Sequence, residues 1–155
     1  MYDLVFHYIE DEMLPIATVE KESFINLITG LSRGTKPPCR KTTWDKLHGR
    51  YVTMIQILNQ ALANTDYVCT TADIWSANNK SYMGVTCHYI DNELNRQSAV
   101  LACRRMKFSH THMEIAIMLQ KVHSQFNLAG QKLVGTVTDN ATNFAKSFKV
   151  SIIEY

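Results

Sequence analysis

The sequence predicts an α/β protein: a helical segment over residues 1–66, followed by a core of order β-β-β-α-β-α over residues 67–155. Three observations carry this. The apolar residues before position 66 recur at steps of three and four, a helical period. From Tyr67 the period changes to two, with β-branched residues at Val68, Thr70 and Thr71. Asn78-Asn79-Lys80 and Asp91-Asn92-Glu93 are turn signals that divide the β-rich region into short-linked strands.

In the N-terminal segment, Pro15 interrupts the first helix. Thr18 precedes the acidic turn of Glu20 and Glu22, and Phe24, Ile25, Leu27, Ile28 and Leu31 then supply an apolar face that Gly30 and Gly34 end. The pair Pro37-Pro38 makes a connector. A long helix is expected to start at Thr42 or Thr43, with Trp44, Leu47, Tyr51, Met54, Leu58 and Ala61 as a narrow apolar seam. So short a seam favours a docking helix over a coiled pair.

Strands are expected at 67–73, 82–91 and 97–103. In the second, Met83, Val85, Cys87 and Tyr89 alternate with other residues. Thr111 and Glu114 form a capping box, Ile115, Met118, Leu119, Val122 and Phe126 share one face, and Gly130 closes that helix. A fourth strand follows at 132–138. A last helix has Phe144 and Phe148 facing inward.

Sixteen basic and 14 acidic residues leave a net charge of +2, too small to imply a nucleic-acid partner by itself. Cys39, Cys69, Cys87 and Cys103 lack C-x-x-C spacing, and the last three fall in expected strands, so they read as reduced core thiols. No apolar run approaches the roughly 20 residues of a membrane helix, and the acidic start is unlike a secretory signal.

A three-strand meander followed by a helical crossover places the fourth strand beside the first. Both end in Asp, at Asp73 and Asp139. Parallel neighbours about 4.8 Å apart would bring the two carboxylates to one sheet edge. Such a pair suits Mg²⁺ or Mn²⁺, hard cations that prefer oxygen ligands. The alternative is that each aspartate is a turn residue or helix cap.

Three segments then resemble those of hAT-superfamily transposases and BED-type zinc-finger proteins derived from them. Thr70-Thr71-Ala72-Asp73-Ile74-Trp75-Ser76 resembles the T-x-D-x-W-[TS] segment. Tyr82-Met83-Gly84-Val85-Thr86-Cys87-His88-Tyr89-Ile90-Asp91 is similar to the strand after it. Val137-Thr138-Asp139-Asn140-Ala141-Thr142-Asn143-Phe144 resembles the V-T-D-N-[AG]-x-N segment. The stretch from Glu12 to Glu20 is similar to the helical region ahead of that core. The resemblance implies an incomplete ribonuclease-H-like core with an Asp-Asp-Glu metal triad, in which Asp73 and Asp139 are the first two acids. It implies Mg²⁺ or Mn²⁺ as ancestral cofactor, metal-dependent cleavage and strand transfer of double-stranded DNA, a nuclear location, and self-association through a C-terminal region.

Only 16 residues follow Asp139, so the third acid of that triad is expected outside this chain, and Glu154 reads as tail. The chain is therefore expected to be catalytically incomplete, or else a domesticated DNA- or protein-binding module without enzymatic activity. Arg33, Lys36, Arg40, Lys41, Lys46 and Arg50 are the densest basic stretch, with Arg40, Lys41, Lys46 and Arg50 as candidate DNA contacts or a solvated face. Arg104, Arg105 and Lys107 form a smaller cluster of the same ambiguity. Trp75 helps shape the acidic edge or caps the core. His110 and His112 lack further metal ligands and belong to the loop and cap. No aromatic interleaving suggests a single-strand stacking platform.

Overall fold

The computed structural model describes residues 2–106, 111–128, 130–139 and 142–151. It divides within one helix into two units, Met1–Ile57 and Leu58–Tyr155.

The first unit holds α1 (Tyr2–Asp11), a 3-10 turn at Ile16–Glu20, α2 (Glu22–Leu31) and the first part of α3 (Arg40–Ala63). Pro15 sits just before the 3-10 turn, where its fixed φ suits the entry. Val5, Ile9, Val19 and Phe24 form the core here, with Leu14, Ile28 and Leu47 packed against it. Two expectations change. Gly30 lies inside α2, and the left-handed turn that ends it uses Arg33 and Gly34. Of the α2 face only Phe24 is buried, while Leu27 and Leu31 are exposed.

The long helix begins at Arg40, earlier than its capping threonines suggest, because the Cys39 carbonyl accepts from both the Thr43 backbone N–H and its hydroxyl. Its expected seam faces inward only in part, at Leu58, which is buried, and at Leu47, which packs against the core of the first unit. Trp44, Tyr51 and Met54 are exposed, and the buried positions are Thr43, Leu58 and Leu62. Trp44, His48 and Tyr51 instead stack on one another, with ring centroids 5.9 and 6.4 Å apart.

The second unit holds β1 (Val68–Ala77), β2 (Lys80–Ile90), β3 (Arg96–Met106), α4 (His112–Gln125), a 3-10 turn at Gly130–Lys132, β4 (Leu133–Thr138) and α5 (Thr142–Ser151). The sheet order is β3-β2-β1-β4. β1–β2 and β2–β3 are antiparallel and β1–β4 is parallel, as the order of elements requires. Asn78 and Asn79 both take positive φ, the two-residue turn that matches strand twist. In the next turn Asp91 Oδ1 accepts from the Glu93 and Asn95 backbone N–H groups, and Oδ2 from the Gln97 side chain. These bonds, with the Gln97 amide foremost, hold the Asp91 carboxyl below its ordinary value.

One sheet face buries Val68, Thr70, Ala72, Met83, Val85 and Cys87. Ile115, Leu119, Val122 and Phe126 of the second unit are buried too, a helical stripe continued into the turn after α4. The Thr111 hydroxyl caps α4 by accepting from the Glu114 N–H. The helix ends at Gln125, before the expected glycine. Asn127 takes the left-handed conformation, and the Leu128 N–H bonds the His123 carbonyl. The other face carries Cys69, Asp73 and Cys103, all exposed. Only Cys87 is therefore a core thiol; strand alternation puts Cys69 of β1 and Cys103 of β3 on the outward face.

Candidate functional site

The parallel ladder of β1 and β4 pairs Thr70 with Thr136, Thr71 with Val137 and Ala72 with Thr138. Asp73 and Asp139 are the next residue on each strand, and both are exposed. Directly across the antiparallel side, Asp73 faces Gly84. β1 does not end at Asp73 as expected but runs on to Ala77 against β2, so Asp73 lies within its strand, where the β1–β4 ladder stops, and Asp139 lies just past β4.

Gly84 makes room for an aromatic ring. A Cβ there would lie 2.9 Å from Trp75 Cζ3 and 3.3 Å from Cη2. The Trp75 indole covers the glycine and stacks on Tyr82, with centroids 5.8 Å apart and planes 23° from parallel. Arg105 is the partner of Tyr82 on β3. Trp75, Tyr82 and Arg105 therefore form a row across three strands beside Asp73. Strand spacing alone did not disclose that row, because it depends on which residue of β2 faces which residue of β1.

Beneath the acids, on the buried face, lies a polar cluster that the sequence reading missed. The Thr70 and Thr136 hydroxyls are 2.8 Å apart, and Thr70 Oγ1 lies 3.3 Å from His123 Nε2 of α4. Thr70 is fully buried and His123 is 6% exposed. Burial lowers the His123 pKa, so the folded chain favours the neutral ring. The unfolded chain then binds the extra proton first. Stability is expected to be at its full value above the ordinary histidine pKa of 6.5 and to decline as pH falls below it towards the lowered folded value. His123→Gln should remove that part of the decline; chemical denaturation at a series of pH values checks it, and identical profiles for both chains would contradict it.

The basic candidates divide. Lys46 Nζ lies 3.3 Å from Asp3 Oδ1 and sits over the Phe6 ring. Arg50 Nη1 lies 3.0 Å from Glu10 Oε2. Both fasten α3 to α1. Arg40 and Lys41, at the start of α3, are exposed. Arg104 donates to Gln125 Oε1, 2.6 Å away. His112 opens α4 and is half-buried. Lys107, His110, Asn140, Ala141 and Glu154 lie outside the described residues.

The donors at the acidic edge are carboxylate oxygens, which fit a hard, partly hydrated Mg²⁺ or Mn²⁺ better than Zn²⁺. Among the described residues no three His, Cys, Asp or Glu side chains gather to hold a metal. No helix among them is long and apolar enough to cross a membrane.

Residues 71–152, just over half of the chain, match the family described as the ZBED1 RNase-like domain. The matched span contains both aspartates, the Trp75 row and His123. The chain is also 28% identical over 140 residues to a protein of Talaromyces stipitatus named "Putative transcriptional regulator tpeD". That similarity covers 88% of this chain and 16% of the relative's length.

Proposed function

We propose a function from one premise: the chain belongs to the ZBED1 RNase-like domain family. On this reading it is a transposase-derived domain that contacts double-stranded DNA, with Asp73 and Asp139 holding a divalent cation against a phosphate. The observation that carries the reading is the parallel register of β1 and β4, which ends at Ala72 and Thr138 and leaves the two acids level.

Mg²⁺ or Mn²⁺, when bound, polarises a phosphodiester and acidifies a water. The chain's own residues do the rest. Asp73 and Asp139 would hold the ion and orient it. The Trp75–Tyr82 stack walls one side of the edge. Arg105, exposed beside Tyr82, offers a phosphate contact. Arg40 and Lys41, exposed in the first unit, are separate candidates for phosphate contact. Metal-dependent cleavage and strand transfer is the ancestral reaction of such a site. Asp73 and Asp139 are the first two acids of the three that this reading implies, and DNA contact is the role it assigns to this stretch of chain. A nuclear location and self-association belong to the same reading, and the name of the Talaromyces stipitatus relative supports a regulatory setting.

The second reading is a DNA- or protein-binding module with no metal. It is favoured by the lack of any three-ligand cluster among the described residues. Mn²⁺ titration separates the two. Saturable uptake by the wild-type chain is expected, weakened about tenfold or more in Asp73→Asn with Asp139→Asn, the scale seen when metal sites lose supporting groups. Equally weak responses in both chains would remove the cation site. DNA binding at two salt concentrations then tests the basic residues: Arg40→Gln with Lys41→Gln should weaken binding and flatten its salt dependence.

A further inference from the structure

We infer that the hydroxyl pair of buried Thr70 and half-buried Thr136, seated by His123, sets the strand register that brings Asp73 and Asp139 level. The inference rests on the reading of those two acids as a working pair. It assigns positioning roles to three residues that never touch the cation or DNA.

The ladder itself shows the need for such a device. Val68 pairs with Leu133 but Cys69 pairs with Gly135, so β4 carries one extra residue, Val134, at a bulge. Val134 is 61% exposed there. A bulge uncouples the register on its two sides. What precedes it therefore cannot dictate how residues 136–139 align with β1. Only four pairs, from Cys69–Gly135 to Ala72–Thr138, follow the bulge, and the acids come immediately after them.

A slip of one residue in that short stretch would turn every following side chain to the opposite face, Asp139 included. A slip of two would keep the face but move Asp139 about 6.6 Å along the strand. The Thr70–Thr136 contact resists both. In register the hydroxyls meet at 2.8 Å. A one-residue slip would bury Gly135 or Val137 opposite Thr70 and leave its hydroxyl without that partner. Thr70 is fully buried, so the loss would go uncompensated by water. His123 Nε2 lies 3.3 Å from the Thr70 hydroxyl and limits the rotamers in which it meets Thr136. Each threonine precedes its aspartate by three residues, so the lock acts three steps from where its effect is felt.

The test compares Thr136→Val, which keeps shape and removes the hydroxyl, with the conservative Thr136→Ser. Amide hydrogen exchange is read by NMR without metal, and Mn²⁺ affinity is read separately by titration. Thr136→Val should lower protection of those β4 amides that bond to β1 about tenfold, while the β1–β2 amides keep theirs, showing that the sheet still folds. Mn²⁺ affinity should fall by about the same factor, and Thr136→Ser should restore both. Unchanged β4 protection and an unchanged Asp73-to-Asp139 backbone NOE pattern in Thr136→Val would overturn the inference. If Mn²⁺ fails to bind the wild-type chain, the cation reading falls, and the register assignment is still decided by the amide and NOE data. Loss of protection throughout β1, β2 and β4 together would also overturn it, since the pair would then support the fold as a whole.

Discussion

Phe144→Ala is expected to cost the second unit about 3–5 kcal/mol, the range for emptying a buried aromatic site. Phe144 is 1% exposed and is among the largest fully buried side chains of the chain. It lies in the first turn of α5, which packs against α4. Its carbonyl accepts from the Ser147 hydroxyl at 2.7 Å, a bond that keeps the turn tight but does not fill the space the ring would leave. A typical domain has about 5–15 kcal/mol in total, so this loss removes roughly a fifth or more of the margin. Chemical denaturation should show the midpoint falling with little change in slope. Phe148→Ala should cost clearly less, because that ring is only half-buried. Equal and small losses for both would mean that α5 does not carry the packing assigned to it. The consequence reaches the site, because α5 anchors the chain just after Asp139, and a loosened helix frees the end of β4.

How much of this was legible beforehand follows the physics of each signal. The order β-β-β-α-β-α and the neighbourhood of β1 and β4 were readable, since short turns force antiparallel pairing and a helical crossover forces a parallel strand. Asp73 and Asp139 could be singled out for the same reason. Strand lengths were not: β1 continues through Ala77 and β3 through Met106, because pairing with β2 rewards residues with no strand preference of their own. Facing was readable within a strand, as Met83, Val85 and Cys87 show, yet the exposure of Cys69 and Cys103 was missed by treating whole strands as buried. The α3 seam held at Leu47 and Leu58 and missed at Trp44, Tyr51 and Met54, for a different reason. Its apolar stripe was read correctly as a pattern, but which stripe is buried depends on where α1 and α2 lie, and the period of one helix does not contain that. Lys46 and Arg50 illustrate the same gap, since their partners Asp3 and Glu10 lie some 40 positions earlier. Most of all, the Thr70–His123–Thr136 cluster joins three elements across 66 positions of sequence, and no local spacing marks it.

Gly84→Val is expected to destabilise the chain by about 1–3 kcal/mol, the usual cost of forcing extra atoms into a packed site. Two effects oppose each other. Valine suits a strand better than glycine, and that preference alone would favour the variant by about 1 kcal/mol or less. Against it, the new Cβ would stand 2.9 Å from the Trp75 ring before either γ-methyl is counted. The ring must swing away, and it then loses its stack on Tyr82, worth about 0.5–1.5 kcal/mol, together with the cover it has over β2. Trp75 is 38% exposed, so the ring has room to move outward, and the sheet should survive the change. The near-ultraviolet circular dichroism of a Trp44→Phe background, in which Trp75 is the remaining tryptophan, would report the displacement directly. The decisive comparison is the same substitution in Trp75→Ala, where the clash has no partner. There Gly84→Val should become neutral or stabilising, giving a coupling of about 1–3 kcal/mol between the two positions. Additive losses would show that the glycine serves the backbone and not the ring. Because Gly84 faces Asp73 across the strand, a coupled result also ties the wall of the acidic edge to the absence of a side chain at this one position.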